Sequence, residues 1–235
     1  MTKLTAFLGN FGSRYERTRH NIAWLFASSL PFFSELQFRE KFKGEFAAIE
    51  PQSLARLLLK SEKIPAHPPA NPLINSLLRQ AEKSRPDTKA AASEKLYFLK
   101  PRTFMNLSGE SIGELAHFYK IAPSNIIVVH DELELPFATI SLKLGGGLGG
   151  HNGLRSTTSC LQSSDFCRIR LGIGKPDNTN IADYVLSPFT DTESAALPEI
   201  FNEAAQLLIQ LLFSTSPAEL LSTWRKRKIN LTRHD

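Results

Sequence analysis

Only two cysteines, Cys160 and Cys167, occur in this chain of 235 residues, too few for a disulfide framework or a structural zinc site. That scarcity fits a reducing cytoplasm. No apolar run approaches the ~20 residues that span a bilayer, which excludes a helical membrane anchor. The N-terminus, MTKLTAFLGN, lacks the longer apolar core and cleavage site of a secretory leader and reads instead as a first strand. Two chemical signatures are missing as well. There is no H-E-x-x-H, the zinc-hydrolase pattern, and no G-x-x-x-x-G-K-[ST], because Lys143 precedes the glycine run rather than following it.

With 42% hydrophobic and 22% charged residues, the chain is ordinary globular material, and its length suits one sizeable domain. The net charge of +5 is unevenly placed: Arg225–Asp235 holds five Lys or Arg against one Asp. Such a basic end is either a solvated tail or a surface for a polyanion, most simply nucleic acid.

The pattern interleaves strands and helices. Strands are expected at Lys3–Gly9, Phe42–Ile49, Lys95–Leu99, Asn125–His130, Thr139–Leu144 and Phe166–Ile173. Helices are expected at Thr18–Leu30, from a Ser108 cap to Tyr119, at His151–Leu161, Glu193–Phe213 and Pro217–Lys228. This reads as an α/β chain: a single three-layer α/β/α domain on a mostly parallel mixed central sheet, spanning 1–235. Residues 50–94, rich in Pro, Ala and Lys, break the rhythm and read as a surface insertion with short helices at 54–60 and 73–82. The segment 225–235 reads as a basic C-terminal tail.

Five glycines crowd the stretch KLGGGLGGH between Lys143 and His151, and Gly145, Gly147 and Gly150 satisfy G-x-G-x-x-G. That dinucleotide fingerprint needs an acidic residue ending the following strand, whereas Asp165 has the spacing but precedes its strand. Nucleotide binding is therefore disfavoured. Elsewhere, polar residues gather at strand ends: Asn10, His20, Asn106, Asp131, His151 and Asn152. Loops beyond the carboxyl ends of strands converge in open α/β sheets. Two histidines, one aspartate and three asparagines are poor in carboxylates for a two-metal site. They suit a metal-free hydrolysis, with a histidine held by an aspartate as base and amides steadying the developing oxyanion.

Four motifs, TRHN at 18–21, FMNLSG at 104–109, HDELELP at 130–136 and KLGGGLGGHNGL at 143–154, together resemble the bacterial-type peptidyl-tRNA hydrolase family, and RIRLGIGKP at 168–176 adds to the match. The resemblance covers nearly the whole chain outside 50–94. It implies one α/β domain that needs no metal or cofactor and that cleaves the ester joining a peptide to the terminal ribose of tRNA. It implies His20 as general base and Asp131 as its orienting acid. Asn106 and Asn152 would hold the peptide main chain and the water, with Asn10 beside His20, Tyr15 and Met105 shaping the cleft, and His151 either contacting substrate or starting a helix. Lys143 and Arg170 match positions associated with tRNA phosphates, a surface that Arg225 and Arg227 of the tail would extend. The implied partner is peptidyl-tRNA, with no membrane and a monomeric state. Phe11 departs from the family's usual proline, Leu148 from a frequent histidine, and Ser141 from a frequent lysine. Two other readings compete: a non-catalytic RNA-binding protein on the same fold, and a metal-dependent hydrolase using His20, Asp131 and His151.

Overall fold

The computed structural model describes residues 3–60, 94–176 and 180–231. Its centre is an eight-stranded mixed sheet in the order β2-β3-β4-β1-β5-β7-β6-β8. The strands are β1 (Lys3–Phe7), β2 (Arg39–Lys41), β3 (Gly44–Ile49), β4 (Leu96–Pro101), β5 (Ile126–Glu132), β6 (Thr139–Leu144), β7 (Cys167–Gly172) and β8 (Arg227–Lys228). The four middle strands, β4, β1, β5 and β7, run parallel. Antiparallel strands close both sides, β3 and β2 on one and β6 and β8 on the other. The parallel character expected from the sequence is thus confined to the middle.

Parallel strands covered on both faces must be apolar at every position. β5 shows this: Ile127 and Val129 enter one core, and Ile126 and Val128 the other. The first core lies under α1 (Ile22–Ser29), α2 (Pro51–Lys60) and the long α6 (Asp191–Phe213), through Phe26, Leu54 and Leu208. The second lies under α3 (Ser108–Phe118) and α4 (Asn152–Leu161), through Ile112, Leu115 and Leu154. These two helices approach closely because Gly109 has no side chain; a Cβ there would stand 2.1 Å from the Ser156 carbonyl oxygen. Two further short helices are α5 (Ile181–Val185) and α7 (Leu221–Trp224).

Several expectations need correction. Residues 51–60 do not belong to a surface insertion, since α2 buries Leu54, Ala55 and Leu58 in the core. The helix expected at 73–82 lies outside the described residues. Ser108 does not cap α3; it begins the helix, and its hydroxyl donates to the Met105 carbonyl (2.9 Å). Asp131 and Glu132 end β5 rather than follow it. The expected helix over Pro217–Lys228 breaks after Trp224, which is 1% exposed and donates to Gln210 (3.0 Å). Anchored there, the chain turns back, and Arg227–Lys228 satisfies the free edge of β6. No helix among the described residues is long and apolar enough to cross a membrane.

Candidate active site

β1, β4 and β5 end side by side, so the turns after them deliver Asn10, Met105 and Asn106, and the last residues of β5 itself, to one end of the sheet. There they line a cleft of about 650 Å³ with His20, Asp131, His151 and Asn152. Seven of the residues singled out in the sequence therefore meet. The glycine run contributes Gly149 and Gly150, while Leu133, Ile181 and Val185 supply an apolar wall.

His20 sits in the 3-10 turn Arg19–Asn21 ahead of α1, and its two neighbours fix that turn. The Arg19 guanidinium donates twice to Glu193, at 2.8 and 2.6 Å, and lies over the rings of Tyr184 and Phe189. Glu193 itself belongs to the capping box that opens α6, so the turn that carries His20 is bolted to a helix start. On the other side, Asn21 exchanges two hydrogen bonds with the main chain of Asn10 (2.8 and 3.0 Å). Asn10 Oδ1 then accepts from the Met105 N–H (2.8 Å), which joins the turns after β1 and β4. Its amide nitrogen has no bonded protein partner among the described residues.

Asp131 is 2% exposed and serves two histidines with one oxygen. Its Oδ1 lies 2.8 Å from His20 Nδ1 and 3.0 Å from His151 Nε2. His151 is also the N-cap of α4: its Nδ1 accepts from the N–H groups of Gly153 (3.1 Å) and Leu154 (3.3 Å). A nitrogen that accepts carries no proton, so in neutral His151 the proton is on Nε2 and donates to Asp131. Gly153 has no room for a side chain; a Cβ would lie 2.6 Å from Met105 Sδ. Burial works against an ionised Asp131, but His20 and then His151, with their hydrogen bonds, hold the carboxyl well below the usual carboxylate range. Burial likewise works against a charged His20, yet the Asp131 carboxylate prevails and raises its pKa above the ordinary imidazole value.

His20, Asp131 and His151 are also the one group of potential metal ligands among the described residues, with donor atoms within 4.8 Å of one another. As arranged, both histidine nitrogens touch the carboxylate directly, the pattern of a hydrogen-bonded relay. An ion held at ~2.0–2.2 Å from each ligand would have to part them.

Other sequence candidates lie outside the cleft. Tyr15 meets Phe104 edge to face at 6.3 Å, one residue from Met105. Lys143 and Arg170 lie on β6 and β7, where the pairings Thr139–Lys228, Ser141–Arg170 and Lys143–Arg168 put all six side chains on one face, opposite the Ile140–Leu142–Ile169 side. Arg170 is ion-paired with Glu132 (2.9 Å), and Arg227 with Glu203 (2.8 Å). Arg225 is exposed, and its carbonyl accepts from Ser141 (2.5 Å), so the family's missing lysine is replaced here by a tie to the tail. Leu148 packs against the second core, and Phe11 is 43% exposed beneath the Arg102 guanidinium.

Four residues of the site lie within the quoted motifs but carry no role assigned from the sequence: Arg19, Asn21, His130 and Arg168. His130 is buried, donates from Nδ1 to the Asp131 carbonyl (2.6 Å) and faces the His151 ring edge-on at 4.9 Å. The one readable signal for Arg19 was Thr190-x-x-Glu193, a capping box whose acid it shares.

Fold and site together define an α/β/α protein with a histidine–aspartate centre at the carboxyl ends of its parallel strands. The peptidyl-tRNA hydrolase family model matches residues 4–64 and 73–231, and the chain belongs to that family. The match also runs through most of 50–94, leaving only 65–72 outside it. Peptidyl-tRNA hydrolase of Treponema pallidum is 40% identical over 231 residues, covering 97% of this chain and 96% of its own. That of Nocardia farcinica is 39% identical over 210 residues, covering 89% of both. Among solved structures, peptidyl-tRNA hydrolase from Acinetobacter baumannii matches with a TM-score of 0.63 at 27% identity, covering 92% of this chain and 97% of that one.

Proposed function

We propose that this chain hydrolyses the ester between peptide and tRNA, with His20 as the general base. The observation that carries the reading is the His20–Asp131 contact of 2.8 Å at the cleft. It commits Nδ1 to the carboxylate and leaves Nε2 to take a proton from water. Water attacks the ester carbonyl as Nε2 accepts its proton. Asp131 stabilises the imidazolium, which then protonates the departing ribose oxygen. The free amide of Asn10, with Asn106 and Asn152, steadies the peptide main chain and the oxyanion without competing for protons. A raised His20 pKa makes Nε2 a stronger base toward the attacking water.

Lys143 receives tRNA phosphates on the basic face of β6–β8, and Arg170 joins it once a phosphate displaces Glu132. Contacts to the backbone carry no sequence information, so many tRNAs are accepted. Tyr15 and Phe104 border the approach to the cleft. The chain works as a cytoplasmic monomer, without metal or cofactor. A tRNA binder without hydrolysis has no need of a base paired with an orienting carboxylate, which sets that alternative behind.

The test is release of tRNA from an N-blocked aminoacyl-tRNA in EDTA, comparing the wild type with His20→Ala. The expected loss is roughly 10²–10⁴ in rate. Wild-type turnover that vanishes in EDTA would instead establish the metal reading, and tight binding without turnover the RNA-binding one.

A further inference from the structure

Arg168 is 2% exposed, yet no carboxylate among the described residues touches it. Its guanidinium turns instead to the glycine run, donating from Nη1 to the Gly147 carbonyl (2.9 Å) and from Nη2 to those of Gly145 and Gly146, the latter at 3.2 Å. A buried cation is costly unless it is well bonded, and three carbonyls of one loop are an unusual counterpart. From there the chain makes a tight turn, closed by the His151 N–H donating to the Leu148 carbonyl (3.1 Å), and reaches His151, which is pinned to Asp131 and α4. The loop is thus fastened at both ends. Between the fastenings, Gly149 and Gly150 hold φ of 61° and 75° and line the cleft. Glycine makes that conformation easy but does not hold it, since its own flexibility favours many others.

We infer that Arg168 is a positioning residue for the hydrolysis: by gripping three carbonyls it converts a flexible glycine run into a fixed wall that sets His151 and Asn152. This inference rests on the proposed hydrolase reading. Lys143 also reaches the Gly147 carbonyl (3.3 Å), but it is partly exposed and is the residue assigned to phosphate. When RNA draws Lys143 away, Arg168 keeps the loop in place. The forked guanidinium matters more than the charge, because an ammonium point charge cannot span three carbonyls in fixed geometry.

The test combines amide order parameters for residues 145–152 with turnover, in Arg168→Gln and Arg168→Lys. Turnover is measured on full-length peptidyl-tRNA and on an N-blocked aminoacyl ester of adenosine, which lacks the tRNA body. Both variants are expected to loosen the loop and to lower kcat on the order of tenfold or more on both substrates, with the overall fold retained by circular dichroism. Wild-type loop order and turnover in Arg168→Lys would overturn the inference, leaving only a charge effect. Loss confined to full-length tRNA would also overturn it, since that is the signature of a phosphate contact. Should Arg168→Gln not fold, the lysine variant carries the same decision. The order parameters are read without any reaction, so a failure of the hydrolase reading shows separately, as absent wild-type turnover.

Discussion

The cleft and the basic face, the two sides of this molecule proposed to meet substrate, handle charge in opposite ways. At the cleft floor, two histidines converge on one oxygen of a buried aspartate, and a third, His130, donates to the carbonyl of the same residue. On the face of β6 to β8 the cations are spread over three strands, and Arg170 is already paired with Glu132, while Arg227, on the opposite Ile140 side of the sheet, is paired with Glu203. A site that moves a proton needs one geometry, held before substrate arrives. A surface that receives a polyanion of varied sequence needs charge that can be re-paired. Substitutions should therefore fall into two kinds, with abrupt losses in rate at the floor and graded losses in affinity on the face.

Breaking the floor should give the larger effect. Asp131→Asn is expected to lower kcat by roughly 10²–10⁴, since the imidazolium loses its partner and His20 its orientation. The pH profile fixes the sign. His20 must be neutral to act, so the wild-type rate rises as pH passes its pKa, which Asp131 holds above the ordinary imidazole value. Without the carboxylate only burial remains, and burial lowers that pKa, so the acid limb of the variant should move to lower pH. An unmoved limb would mean that another group sets it.

On the basic face, Lys143→Ala should raise KM for full-length tRNA and reduce the salt slope of binding by about one, leaving an adenosine ester untouched. Equal losses on both substrates would put Lys143 in the chemistry instead. The smallest effects belong to the tail, and they should divide. Arg225→Ala with Lys226→Ala should weaken tRNA binding modestly without changing thermal stability. Arg227→Ala should mainly lower stability, by roughly 0.2–1 kcal/mol, because its partly exposed pair with Glu203 is a fold contact. Uniform effects from all three would restore the view of the tail as one undivided RNA-binding surface.

How much of this was legible beforehand follows from sequence distance. His20, Asp131, Asn106 and Asn152 sit in short motifs that can be read locally, as could the apolar strand NIIVV. Arg19 could not, because its meaning comes from Glu193 across 174 positions. Arg168 looked like one more strand residue until the glycine loop folded over it. The segment 51–60 read as insertion because it opens a stretch rich in Pro, Ala and Lys that breaks the rhythm of strands and helices, and only its packing shows Leu54 and Leu58 in the core. Trp224 ended the last helix early for the same reason: a buried indole is a tertiary demand that helical periodicity does not register.

The amino-acid order by itself determined the six principal strands, the candidate reacting groups and the family, since alternation, β-branching and motif spacing are local properties of a chain. Only the tertiary structure decided that one carboxylate oxygen serves both histidines, that the glycine run is gripped by a buried arginine, and that two of the expected tRNA-binding arginines are already paired. Those facts depend on distances between residues far apart in sequence, and such distances exist only once the sheet has brought its strand ends together.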